Sequence, residues 1–370
     1  MTTKILFILH LPPPVHGAAM VGKYIYDSEL INEEFDCRYI NLTTAKNLQD
    51  IGKGGIKKLW KFIKLLSGII KEVTKIKPEL IYVTPNACGK AFYKDFVVVQ
   101  LLKIMGCKVV AHYHNKGVVT QQDRKLDNWL YRKFFCGLKV ILLAETLYQD
   151  VQKYVKREDV YICPNGIPEI LTGEPIAERH NEVPHLLFLS NLLVSKGVLV
   201  LLNALQILKE KGYLFACDLI GGETAEIDIA RLNAEIEKRG LNRLVIYNGK
   251  KYGVDKDVFF RSADIFVFPT FNECFPLVLL EAMQYGLPCV STKEGGISDI
   301  IENGKTGWLV NRQSSKDLAE CLEWMINHPK ETAAMGKKGN IKFDEEFTLY
   351  RFEKLSILVW GLHILKKKIF

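Results

Sequence analysis

The stretch DIFVFPTFNECFPLVLLEAMQYG, Asp264 to Gly286, limits the folds open to this chain more than any other. Ile265 to Phe268 is a short apolar, partly β-branched run of the kind a buried parallel strand needs, and Pro269 ends it. A six-residue loop follows. Pro276 then falls at the first position of a helix whose interior reads LVLLEAMQY and whose stop is Gly286. Strand, loop and helix in this order predict an α/β fold built on a parallel sheet.

Two glutamates flank the turn, Glu273 in the loop and Glu281 inside the helix, eight positions apart. The N–H groups of Leu277 and Val278 open the helix without intrahelical partners, so they form a natural seat for a diphosphate. Glu281 lies three and four residues further on, which puts its carboxylate on the same helix face. There an ionised carboxylate, which only accepts hydrogen bonds, suits the two hydroxyls of a ribose. Glu273 faces whatever hangs off the far phosphate, and a sugar rich in donor hydroxyls fits it. Against this stands the ordinary reading, in which strand–helix units are common and a helical Glu is merely solvated.

The neighbouring residues narrow the choice. PTFNECFPLVLLEAMQYGLPCV, followed by GGISDIIENGKTGWLV, resembles the retaining glycosyltransferases of family 4, which share a Glu-x7-Glu pair in such a setting, and the resemblance runs over nearly the whole chain. It implies the GT-B fold, two Rossmann-like domains with an interdomain cleft. It also implies transfer of a sugar from a nucleotide-diphosphate donor to an acceptor, with retention at the anomeric carbon and no metal or other cofactor. On the matching positions it assigns the donor to Gly17, Asn191, Lys196, Gly249, Glu273, Cys274, Phe275, Leu277, Val278 and Glu281, with His114 beside the reacting groups. One departure stands out. Where the family usually has Gly-Arg ahead of the Lys-Gly pair, this chain has Ser190-Asn191, and the amide of Asn191 brings no charge to a phosphate.

With 370 residues, 48% hydrophobic and 25% charged, the chain is long enough for two domains with real cores. Boundaries are expected at 1–167 for an acceptor-binding domain, 168–346 for the nucleotide-sugar domain, and 347–370 for a helix returning to the first. The polar, aperiodic segment 172–185 marks the junction. Nine cysteines without a CxxC pair argue against a zinc ribbon or a disulfide framework and for a reducing, cytoplasmic location. The opening KILFILHLPPP is too short for a signal-peptide core and reads as a strand. No run reaches the roughly 18–20 apolar residues that span a bilayer.

The net charge of +8 matters through its placement. Lysines concentrate at 57–77 and 366–368, with no aromatic signature of an RNA-binding sheet and no zinc-finger spacing, so nucleic acid is not expected. Ile56 to Lys77 has a helical period. Lys57, Lys58, Trp60, Lys61 and Lys64 give it the composition of an interfacial helix that touches anionic lipid at the inner face of the cell membrane, although an ordinary surface helix packed on the sheet accounts for the same period.

Earlier in the chain, the expected strand 5–9 leads to Gly17, Ala18 and Ala19 at a helix start, where a ligand can approach the backbone. The loop is not GxGxxG, so a dinucleotide site loses support. Strands at 80–83 and 108–111 enclose a helix at 90–104, and His112 and His114 follow the second strand at its carboxyl end, where side chains of an open sheet meet a ligand. A strand at 140–143 and a turn at 161–167 complete this half. In the second half, strands 216–220 and 244–247 end in Gly221-Gly222 and Gly249, where a flat base can lie against main chain.

In this scheme Lys196 and the helix amides supply positive potential where the leaving diphosphate develops charge, and Glu273 orients the sugar. No covalent nucleophile is evident, which favours a same-face displacement. The expected donor is a UDP-sugar, and the expected acceptor a lipid-linked saccharide of surface polysaccharide assembly. Two other readings stay open here, a nucleotide-sugar epimerase of the same fold and a non-catalytic nucleotide-sugar-binding module.

Overall fold

The computed structural model describes residues 2–43, 56–170 and 181–365, with backbone alone for 56–59 and 364–365. The chain divides into two compact units, Met1–Gly166 with Leu349–Phe370, and Ile167–Thr348.

The first unit is built on a six-stranded parallel sheet of β1 (Lys4–Leu9), β2 (Asp36–Asn41), β3 (Leu80–Val83), β4 (Val109–His112), β5 (Lys139–Leu142) and β6 (Val160–Ile162), in the order β2-β1-β3-β4-β5-β6. The inner strands β3 and β4 are buried at every residue, as continuous apolar runs covered on both faces must be. β2 and β6 are the edges. Neither was predicted, because DCRYIN is half polar and only partly buried and β6 has three residues, inside the segment expected as a turn. β4 also runs one residue past the expected end at Ala111. His112 therefore belongs to the strand, 1% exposed, with Nδ1 2.8 Å from the Tyr82 hydroxyl, and does not project from a loop.

Helix Leu349–Leu365 closes this unit through Trp360, which is 1% exposed and packs on Phe7, Phe35 and Tyr82 with ring centroids 5.1, 6.2 and 5.1 Å away. A buried indole with three aromatic neighbours is worth about 3–5 kcal/mol against alanine. Lys366 to Lys368 lie outside the described residues.

The second unit repeats the plan with β7 (His185–Leu189), β8 (Ala216–Ile220), β9 (Val245–Tyr247), β10 (Ile265–Phe268), β11 (Cys289–Thr292) and β12 (Gly307–Val310), in the order β12-β11-β10-β7-β8-β9. Strands β7 to β9 progress one way across the sheet and β10 to β12 the other. The direction reverses between the adjacent strands β7 and β10, and ligands of open α/β sheets bind at the carboxyl ends of strands at such a switch point. The loop after β7 carries Lys196, and the loop after β10 carries Glu273.

Candidate active site

The two loops are stitched together chiefly through main-chain atoms. Lys196 ends a single 3-10 turn, Val194–Lys196, closed by Gly197 at φ +83°. The main-chain oxygen of Ser195 accepts from the N–H of Phe271 at 2.9 Å and from the hydroxyl of Thr270 at 3.0 Å. A Cβ on Gly197 would lie 2.1 Å from the carbonyl oxygen of Pro269, so only glycine permits this approach.

With the loops so joined, the Lys196 ammonium pairs with Oε1 of Glu273 and donates to the main-chain oxygen of Asn272 at 3.3 Å. The two side chains are 17% and 21% exposed. Oε2 of Glu273 accepts from the N–H of Cys274 at 3.3 Å. The loop after β11 supports this from below: a Cβ on Gly295, at φ +55°, would meet the carbonyl oxygens of Glu273 and Cys274 at 2.4 and 2.6 Å, and the N–H of Gly296 donates to Cys274 at 2.7 Å. Cys274 and Phe275 are buried, and the Phe275 ring stands edge-on to Phe347 at 6.0 Å. What these two residues offer a ligand is main chain.

Pro276, expected as the first helical residue, is instead the N-cap of helix Leu277–Gln284, because its ψ of 117° is extended. The N–H groups of Phe275, Leu277 and Val278 have no hydrogen-bond partner among the described residues. Three free amides thus lie at or just before a helix start, in the loop whose Glu273 holds a lysine, a constellation suited to an anion. Glu281, one turn further, places Oε1 2.8 Å from the ammonium of Lys256, on helix Val254–Ser262. Sequence reasoning did not single out Lys256, since the site is made by two helices that no motif links.

Asn191, which replaces an expected Arg, uses its side-chain oxygen to accept from the N–H of Gly222 at 3.3 Å and so ties the β7 loop to the β8 loop. Gly221, at φ +153°, would place a Cβ 1.7 Å from the oxygen of Ser190, which fixes the same junction. Gly249 sits at φ +68° with open space around a would-be Cβ.

Gly17 and His114 belong to the first unit. Gly17 opens helix Gly17–Asp27 behind the N-cap His16, whose ring accepts from the N–H of Ala19 at 3.3 Å, and a Cβ on Gly17 would touch nothing within 4 Å. Both ring nitrogens of His114 are shut off from solvent without a hydrogen bond. Burial pushes its pKa down to about 4, with the nearby Asn165 amide opposing this in part, so the ring is neutral at pH 7. Desolvation of the half-buried His10 ring, with the Lys94 charge nearby, pushes its pKa down to about 3.

Helix Ile56–Ile76 buries Ile69 and Val73 and leaves Trp60, Ile63 and Ile70 exposed at 68, 45 and 41%. Lys61 and Lys64 are exposed as well, while the side chains of Lys57 and Lys58 lie outside the described residues. Among the described residues no helix is long and apolar enough to cross a membrane, and no group of three or more His, Cys, Asp or Glu is placed to hold a metal ion.

The fold is GT-B. The Anabaena protein HepE, crystallised with UDP, superposes with a TM-score of 0.72 at 17% identity, over 97% of this chain and 100% of that one. Sucrose-phosphate synthase from Thermosynechococcus elongatus gives 0.74 at 17% identity, over 98% and 99%. Residues 173–342, nearly the whole second unit, match the family model of glycosyl transferases group 1, and the chain carries a domain of that family. D-inositol 3-phosphate glycosyltransferase of Arthrobacter sp. (strain FB24) is 32% identical over 155 residues, which is 41% of this chain and 37% of that protein. The capsular polysaccharide biosynthesis glycosyltransferase CapM of Staphylococcus aureus is 25% identical over 227 residues, or 58% and 59%. The amylovoran biosynthesis glycosyltransferase AmsK of Erwinia amylovora is 25% identical over 257 residues, or 66% and 62%. The chain spans less than two thirds of each of these relatives.

Proposed function

We propose that the protein is a retaining glycosyltransferase of family 4 that moves a sugar from a nucleotide-diphosphate donor to a saccharide acceptor. The observation that carries this reading is the Lys196–Glu273 pair beside the unpartnered amides of Phe275, Leu277 and Val278, at the switch point of the second sheet. A donor diphosphate takes the amides and draws Lys196 to itself, and Glu273 is released to the hydroxyls of the transferred sugar. Charge that develops on the leaving phosphate then meets donors already in place. Because the Glu273 carboxylate is then taken up by the sugar hydroxyls, it suits orientation better than attack. We therefore infer a same-face displacement: the acceptor oxygen bonds to the anomeric carbon, the bond to the phosphate oxygen breaks, and the acceptor proton passes to that leaving oxygen.

A UDP-sugar is the favoured donor, since HepE has been crystallised with UDP and with UDP-glucose. The names of CapM and AmsK favour an acceptor in surface polysaccharide synthesis. The test is nucleotide release from UDP-, GDP- and ADP-sugars, with the product anomer read by NMR. Release from one donor, unchanged by EDTA, is expected, with a retained anomer once an acceptor is supplied. Release from none contradicts the reading, and an inverted product contradicts the displacement.

A lipid-linked acceptor, and with it a peripheral place at the inner face of the membrane, is supported by helix Ile56–Ile76. The following helices, Gly89–Ile104 and Lys125–Phe135, lie on the same sheet face by the right-handedness of successive crossovers, and they add exposed Val97, Leu126 and Trp129. Lipid binding requires both apolar anchors and lysines. Vesicles containing phosphatidylserine should retain the protein at low salt, and Lys61→Gln with Lys64→Gln should weaken retention severalfold. No retention at low salt contradicts the membrane contact.

A further inference from the structure

We propose that Lys256 is a positioning residue for the ribose of the donor nucleotide, acting through Glu281; the proposal rests on the reading of Glu281 as the ribose ligand. Lys256 stands 2.8 Å from Oε1 of Glu281, and the two side chains are 21% and 28% exposed. The pairing joins two helices, Val254–Ser262 and Leu277–Gln284, and the ammonium has a second neighbour on its own helix. It lies 5.8 Å from the ring centre of Phe260, which is fully buried and stacks on Tyr285 at 5.0 Å with 6° between the planes.

Two consequences follow for a nucleotide. A carboxylate has about four acceptor sites, so Lys256 occupies one, fixes the plane of the group and leaves the rest for the ribose hydroxyls. Oε2 of Glu281 makes no hydrogen bond among the described residues. The charge matters as well. Glu281 lies one turn from the amides of Leu277 and Val278, where a bare carboxylate would repel the diphosphate, and the lysine cancels that repulsion. Lys256 thus lets a carboxylate read hydroxyls next to an anion seat.

The experiment is calorimetric titration of UDP, GDP and ADP, each beside its 2′-deoxy form, into the whole protein and its variants. Wild type should favour the ribo form of the nucleotide it binds by about tenfold, as expected for a hydroxyl donating to a carboxylate. In Lys256→Met, which keeps an unbranched chain and removes the charge, the preference should fall below about threefold, and Lys256→Arg should restore most of it. A merely structural lysine would lower both affinities equally and leave their ratio intact. An unchanged ratio in Lys256→Met overturns the proposal. Failure of the underlying reading looks different, because wild type would then bind none of the three nucleotides, or both sugar forms alike, and the proposal falls with it.

Discussion

Glu273→Ala lowers turnover at saturating donor by about two to three powers of ten, while the affinity for the free nucleoside diphosphate changes by less than about threefold. The reason is the division of labour in the β10 loop. Diphosphate binding depends on Lys196 and on main-chain N–H groups, and the Glu273 side chain supplies none of these. Its loss leaves the anion seat in place and removes the group that fixes the sugar over the acceptor. Removing its charge also frees Lys196 from a competing partner, which strengthens phosphate binding slightly. The fold is expected to survive, because Lys196 still donates to the oxygen of Asn272 and reaches solvent, so stability shifts by about 1 kcal/mol. Steady-state kinetics beside nucleotide titration check this. A variant with full turnover, or one whose defect is confined to nucleotide affinity, would place the sugar elsewhere.

Gly197→Ala is expected to cost about 3–5 kcal/mol of stability, and it also removes activity. Two costs combine. At φ +83° an alanine is strained, and its Cβ would stand 2.1 Å from the oxygen of Pro269, so the backbone of one loop must move. The movement separates the Ser195 oxygen from Thr270 and Phe271 and draws Lys196 away from Glu273. Gly249→Ala is the control. Gly249 has a similar φ, +68°, and nothing within 4 Å of a Cβ, so the same substitution should cost only about 1 kcal/mol there. Urea denaturation of both variants separates the two costs. Equal midpoints would mean that the loops are not packed as described.

Much of this was legible in the sequence because it was local. The run Ile265–Phe268, its terminating proline and the glycine after the helix are each read from a few adjacent residues, and the structure places strand β10 and Gly286 (φ +65°) as read. The approach of Lys196 to Glu273 was only implied, through the resemblance, since nothing in the spacing of residues 77 positions apart reveals it. The edge strands β2 and β6 of the first sheet escaped notice because an edge needs no continuous apolar run. His112 reads as lying just past the strand, whereas the Tyr82 hydroxyl gives its ring a buried hydrogen-bond partner within β4, a contact between strands that adjacent residues do not reveal. Asn191 reads as a lost charge and turns out to clamp Gly222, a role that depends on which strand lies beside β7. Lys256 was invisible for the same reason: its partner is on another helix, and a lone lysine in a polar helix carries no signal.

The central claim is that the start of helix Leu277–Gln284, with Lys196 and Glu281, holds a nucleoside diphosphate. The most direct measurement is calorimetric titration of UDP, GDP and ADP into wild type and Glu281→Ala. Tight binding of one nucleotide to wild type, weakened at least about tenfold in the variant, is the predicted result. Binding that is the same in both proteins, or absent from both, would contradict it.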